Sequence, residues 1–256
     1  MSVWDVYKSR VEANGSTLRE AKLREETRYL STKAPDSLSH FTVEIDGASQ
    51  EVAILNTDNF NQKKVCSLPG EDLTPGGLVE WNNSRWLITE KDVADEVYSR
   101  AMMERCNYLL KWVDSDGVIH EQWCIVADAS ESSEGERSNN TITIGDSRLS
   151  LMIGRNEHTA AIGRGQRFLI DDSADGSMLA YEVSKPLKVG CIYGNSGVFK
   201  FILQECNSTE RDNHELGIAD YFKYFPSTGT NSTQEAPNAV IDPDNTTTDN
   251  GRKVWL

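Results

Sequence analysis

The chain of 256 residues is long enough for one large domain or two small ones. Its 40 acidic against 26 basic residues give a net charge of −14, which argues against sequence-specific DNA binding, since that wants a basic face. It does not exclude DNA passing nearby, because an acidic wall repels phosphate and keeps a duplex sliding.

Five cysteines (Cys66, Cys106, Cys124, Cys191 and Cys206) are odd in number, widely spaced and free of any CxxC pair. The start, Met1-Ser2-Val3-Trp4-Asp5, lacks a basic region followed by an apolar one. Together these features read as reduced, mostly buried thiols of a protein made in a cytoplasm. No apolar run approaches the roughly 18 residues that span a bilayer.

Residues 2–12 carry Val3, Trp4, Val6, Tyr7 and Val11 at helical spacing. After Asn14-Gly15 a second helix is expected, with Thr17 and Glu20 at capping-box spacing. Its charges are mixed in sign, as on a solvated face or on an arm lying against a partner. Residues 1–34 are read as this helical arm.

Pro35 ends the arm. Phe41, Val43 and Ile45 alternate, Asp46-Gly47 signals a type I′ turn, and Val52 to Leu55 follow, so residues 40–56 read as a hairpin. The polar stretch from Asn56 to Lys64 reads as a loop. The stretch Gly76 to Lys91 is the hairpin around which the rest is organised. Leu78, Val79 and Trp81 form one arm, and Trp86, Leu87 and Ile88 the other, with Asn82 to Arg85 between them. Two Trp residues this close to one turn bury a large apolar area, so the hairpin reads as scaffold. Asp114-Ser115-Asp116-Gly117 turns the chain into Val118, Ile119, Trp123, Ile125 and Val126, another hairpin. Residues 35–126 are read as a first β-barrel module.

Residues 127–140 are polar and acidic and read as a linker or long surface loop. Strand-like runs follow at 141–144, 149–153, 167–170, 179–183, 189–193 and 198–205, separated by Gly- and Asp-rich turns. Residues 141–225 are read as a second β module. A weak internal repeat pairs Arg85-Trp86-Leu87-Ile88 with Arg167-Phe168-Leu169-Ile170, and Tyr108-Leu109-Leu110-Lys111 with Lys200-Phe201-Ile202-Leu203. Asn213 to Phe225 reads as a short helix or docking segment. Residues 226–256 have almost nothing to bury and read as a disordered tail ending in a docking peptide, Lys253-Val254-Trp255-Leu256.

No constellation of catalytic residues emerges. His40, His120, His158 and His214 are scattered, with no HxxxH or HExxH spacing. His120 stands four residues before Cys124, with Cys106 across a strand as a third zinc donor, yet zinc needs three or four converging ligands. Asp114 to Gly117, and Asp171-Asp172 with Asp175-Gly176, resemble calcium loops without the full alternating oxygen set. Gly163-Arg164-Gly165 is too short for a dinucleotide fingerprint, and no βαβ unit surrounds it. With 40 acidic residues, no carboxylate pair stands out for glycoside hydrolysis. No catalytic, cofactor-binding or metal-ligating residue is assigned, and neither enzyme activity nor a cofactor is expected.

The hairpin GGLVEWNNSRWLITEKD resembles the core of phage head-to-tail connector proteins of the head-closure, or stopper, type. The likeness extends over about residues 3–225, through VWDVYKSRVEANGSTLRE, EVAILNTDNFNQKKVCSLPGEDL, NYLLKW, HEQWCIV, RFLIDD with AYEVSKP, and DNHELGIADYF. Connector stoppers are generally smaller single barrels, and the second β segment departs from that pattern. The resemblance implies a structural virion protein of a tailed phage of Gram-positive bacteria. It would form a six- or twelve-fold ring of its own copies below the portal, retain packaged DNA and join the tail. Its partners would be portal, adaptor and tail proteins, with DNA crossing an acidic lumen and no membrane. Loops such as 56–76 would close the channel or grip the neighbouring ring.

The fold expected is therefore mainly β, with two small barrel- or sandwich-like modules, an N-terminal helical arm and a disordered C-terminal tail. Two alternatives stand beside the connector: another tail or baseplate protein, and a carbohydrate-binding β protein. The sugar-binding reading requires Trp81 or Trp86 to be accessible, whereas the connector reading buries at least one. Hydrolysis of the cell wall is a further option that no visible motif supports.

Overall fold

Helix α1 (Val3–Val11) and helix α2 (Leu18–Lys33) form the N-terminal arm of the computed structural model, which describes residues 2–11, 15–92, 97–129, 148–171 and 178–226. The Thr17 side chain caps α2 by accepting the Glu20 N–H at 3.2 Å. Glu20 returns the bond to Ser16, accepting its N–H at 2.7 Å and its hydroxyl at 2.9 Å, and so completes the cap one residue early. No residue of α2 is buried. A 3₁₀ turn at Ala34–Asp36 leads out of the arm.

The first module is a closed six-stranded barrel. Its strands are β1 (His40–Ile45), β2 (Ala48–Asn56), β3 (Gln62–Ser67), β4 (Leu78–Trp81), β5 (Ser84–Asp92) and β6 (Arg100–Arg105), in the order β1-β2-β3-β6-β5-β4. The two expected hairpins form on two-residue turns. Asp46-Gly47 joins β1 to β2 with φ of 50° and 82°, and Asn82-Asn83 joins β4 to β5 with φ of 51° and 54°. Positive φ at both central residues is the type I′ geometry whose twist matches the flanking strands. The second turn is shorter than expected, because Ser84 and Arg85 already belong to β5. The stretch from Asn56 to Lys64 is not all loop: β3 begins at Gln62 and buries Lys63 along its aliphatic stem. Closure comes from β1 pairing with β4, Glu44 opposite Glu80 and Ile45 opposite Val79. Asp46 extends this seam, its carboxylate accepting the Leu78 N–H at 2.9 Å.

The second module takes the same path. Its strands are β7 (Tyr108–Val113), β8 (Ile119–Asp128), β9 (Arg148–Gly154), β10 (Arg167–Asp171), β11 (Met178–Tyr193) and β12 (Ser196–Cys206), with α3 (Glu157–Ala161) between β9 and β10. Read from the other edge, their order β7-β8-β9-β12-β11-β10 repeats the first barrel strand for strand. Here β7 and β10 come side by side without a ladder. The Tyr108 hydroxyl bridges them, donating to the Leu169 carbonyl at 3.2 Å.

Three expectations are corrected. The boundary near 127–140 moves to between Arg105 and Tyr108, because β7 and β8 pair with β9 rather than with the first barrel. The runs at 179–183 and 189–193 are one strand, bent at bulges after Val183 and Leu187, with Pro186 between them. The repeat is one of topology: β5 occupies the place of β11 rather than β10, and β12 that of β6 rather than β7. The acidic loop from residue 130 on, the run at 141–144 and the tail from residue 227 lie outside the described residues.

Each module has its own core. Val43, Val52, Val65, Trp86, Ile88 and Met103 fill the first, and Trp112, Phe168, Tyr181, Phe199 and Phe201 are the aromatic side chains buried in the second. Between the modules Leu87, Cys106, Ile125 and Val198 form a third cluster. Strand β5 thus buries both faces: Trp86 and Ile88 point into the barrel and Leu87 into the joint. This explains its unbroken apolar run. After β12 the chain packs Ala219 against Leu169 of β10 and Ala180 of β11 and then forms the short helix α4 (Tyr221–Tyr224).

Candidate functional site

A broad groove lies against the outer wall of the first barrel, where β8 of the second module overhangs it. It encloses about 1290 Å³. Register pairing builds its floor: Glu44 faces Glu80 across β1 and β4, and Glu80 faces Arg85 across β4 and β5. Glu80 and Arg85 form an ion pair. Two half-buried indoles, Trp81 from the first module and Trp123 from the second, stand in its walls. Asn107, the linker residue between modules, holds the overhang like a backbone. Its amide donates to the Val126 carbonyl at 2.6 Å and accepts the Val126 N–H at 2.8 Å.

This groove is equipped for binding rather than for nucleophilic chemistry. Cys106 lines it, but burial, with the Glu104 charge adding to it, pushes its thiol up to about 12. The thiolate is therefore scarce at neutral pH. Cys124, deeper still, is raised further by burial and by Cys106. Trp86 is buried at 5% exposure while Trp81 reaches the groove, so the two indoles of the central hairpin divide between core and surface.

The other residues weighed in the sequence are distributed differently from the expectation. His120 does not meet Cys124 or Cys106. Its Nε2 lies 2.6 Å from Asp114 Oδ2, and its ring stacks on His158 with centroids 4.1 Å apart. Asp114 closes the β7–β8 turn by accepting the N–H groups of Asp116 and Val118, so this calcium-like sequence acts as a hairpin turn. His120, then the Val118 N–H, hold the Asp114 carboxyl below its ordinary range. His40 lies 3.6 Å from Glu51 in the first barrel. His214 pairs with the Ser208 hydroxyl at 2.9 Å. The joint and the groove were invisible to spacing, because they depend on which strands pair.

Two large apolar side chains stand exposed elsewhere on the described surface. Phe60, at the tip of the β2–β3 loop, is 88% exposed, and Trp4 of α1 is 75% exposed. The other half of the expected channel-closing segment 56–76 is committed elsewhere. The Gly197 N–H donates to the Pro75 carbonyl at 2.8 Å, which ties that loop to the second module. Among the described residues no helix is long and apolar enough to cross a membrane.

A family model, the YomX N-terminal domain, matches residues 18–105. It is a phage-associated domain, and the match points to a phage protein. The matched span is α2 and the whole first barrel, ending on the last residue of β6. No curated protein and no solved structure matches the chain.

Proposed function

We propose that this chain is a structural component of a tailed-phage virion, built into the head-to-tail connector as a head-closure, stopper or adaptor protein. Copies of it ring the channel below the portal, retain the packaged DNA and offer the tail a seat. The observation that carries the reading is the match of a phage-associated domain to one complete barrel and the helix before it. Three features agree with it. The arm buries none of α2 and exposes Trp4 and Tyr7, as a segment completed by a neighbouring subunit would. Phe60 offers a second apolar contact at a loop tip. The net charge of −14 suits a lumen along which DNA slides without sequence-specific capture. The protein is proposed to act without catalysis or cofactor.

Electron microscopy of lysates from the phage with this gene disrupted tests the proposal. Empty or leaking heads beside complete free tails are expected. Filled heads with tails attached would overturn it, and filled heads with defective tails would move the protein to the tail or baseplate.

A second reading, carbohydrate binding, is favoured by the groove itself, since Trp81 and Trp123 offer stacking faces beside carboxylates and amides. Titration with cell-wall oligosaccharides, followed by tryptophan fluorescence, tests it. Saturable quenching lost in Trp123→Ala supports sugar binding, and an unchanged spectrum excludes it.

A further inference from the structure

We infer that Asp114, His120 and His158 form a binding site for a divalent transition-metal ion, with Zn²⁺ as the best-matched species. Two of the residues belong to one hairpin, and the third comes from an element that sequence spacing does not relate to it. Asp114 opens the β7–β8 turn, His120 is the second residue of β8, and His158 sits in α3, in the crossover from β9 to β10. One ligand atom from each lies within 4.8 Å of the other two.

Two of the three are held in place before any ion arrives. Asp114 Oδ1 accepts the Asp116 and Val118 N–H groups, each at 2.9 Å, which fixes the carboxylate and turns Oδ2 toward His120 Nε2. The His120 ring lies against Trp112 with centroids 5.4 Å apart. Side-chain exposures of 17% for Asp114 and 12% for His120 make this a half-buried pair, already positioned side by side. Hydrogen bonds to a ligating carboxylate are the outer support that metal sites use to orient their donors.

The third donor is brought over them by α3. Asn156 and Thr159 form a reciprocal capping box at the start of this helix, and Thr159 is fully buried. The Asn156 amide also donates to Gln122 Oε1 on β8 at 2.7 Å, which ties the helix to the strand carrying His120. His158 itself is exposed. A tetrahedral zinc with bonds of about 2.0–2.1 Å keeps its donors about 3.3 Å apart. Asp114 Oδ2 and His120 Nε2, now 2.6 Å apart in a hydrogen bond, must therefore exchange that bond for the ion and spread slightly, while the exposed His158 ring, stacked on His120 at 25°, rotates to supply the third donor.

Two imidazoles and one carboxylate are a borderline donor set, suited to Zn²⁺, Co²⁺, Ni²⁺ or Cu²⁺ rather than Ca²⁺ or Mg²⁺. Three protein ligands leave a fourth position for water. A bound ion would staple the β7–β8 hairpin to the β9–β10 crossover. It would brace the module whose end strands β7 and β10 lack a ladder.

The test is calorimetric titration of untagged, chelator-treated full chain with Zn²⁺, alongside Co²⁺ absorption and melting temperature. One ion per chain, visible Co²⁺ d–d bands and a Zn²⁺-dependent rise in melting temperature are expected. His158→Ala should weaken uptake by roughly a hundredfold or more and abolish the rise. Its position on the surface leaves the metal-free fold intact, which circular dichroism checks. His214→Ala, at a histidine outside the cluster, should change nothing. No uptake by the parent chain, or uptake equal in His158→Ala, would overturn the site.

Discussion

Gly76 and Gly154 set how closely the two modules approach. A methyl on Gly76 would lie 2.0 Å from the Gly197 carbonyl oxygen, and one on Gly154 would lie 2.1 Å from that of Gly76. Gly76 also has φ of +88°, which side chains rarely adopt. The backbones therefore touch directly, and the Arg155 N–H bonds to the Gly197 carbonyl at 2.9 Å in the same seam. Gly154→Ala is expected to cost about 1–3 kcal/mol or more, because backbone rather than a flexible side chain must move. Urea denaturation checks this; an unchanged midpoint would mean that the seam is loose.

Arg167 is a second single-residue determinant. Both of its terminal nitrogens bond Asp212, at 2.9 and 2.8 Å, and it reaches Asp220 at 3.1 Å. The Asp212 side chain has 0% exposure. Burial alone would raise its pKa, but Arg167 and the N–H groups of Asp220 and Thr209 outweigh this and bring it down to about 2. A carboxylate held below its unfolded value of about 3.9 stabilises the fold fully above that pH. Its contribution, about 2 kcal/mol, is lost as pH falls from about 4 toward 2. Asp212→Asn should cost about 2–3 kcal/mol at neutral pH, since the guanidinium loses its two-pronged carboxylate partner and keeps only Asp220, Thr209 and the Asn207 carbonyl, and should flatten that acid limb. Denaturation midpoints between pH 2 and 7 for both proteins decide it.

At the scale of elements, what was legible in the sequence was local. The two type I′ turns were readable because Asp46-Gly47 and Asn82-Asn83 tolerate the φ values their hairpins need. The cap of α2 was readable from Thr17 and Glu20. What escaped depends on distant partners. β3 looked like loop because Lys63 and Lys64 are polar by name, although the Lys63 stem packs in the barrel wall. The module boundary escaped because β7 and β8 carry ordinary hairpin signals whichever sheet they join. The Asp114–His120–His158 cluster escaped for the same reason, its third member arriving from α3. The arm makes a prediction of its own. Removing residues 1–36 should leave the melting temperature of the barrels within about 2 °C, since α2 buries no residue. The same deletion should abolish association with neighbouring subunits, measured by analytical ultracentrifugation at high protein concentration. A large drop in melting temperature would show that the arm belongs to the core.

For the whole molecule, two modules of identical strand order are joined by a glycine seam and a small apolar cluster. This gives a double unit preceded by an arm whose helix α2 buries no residue. In a closed ring each copy presents one surface to one neighbour and a different surface to the other. The arm and the Phe60 loop are candidates for one such surface, and the groove beneath β8 for the other.

The most direct test of the connector account is cryo-electron microscopy of purified virions of the encoding phage. The account predicts a ring of twin-barrel density between portal and tail, into which the two modules fit as one body. Twin-barrel density only at the baseplate or on the tail, or a neck fully explained by other proteins, would contradict it.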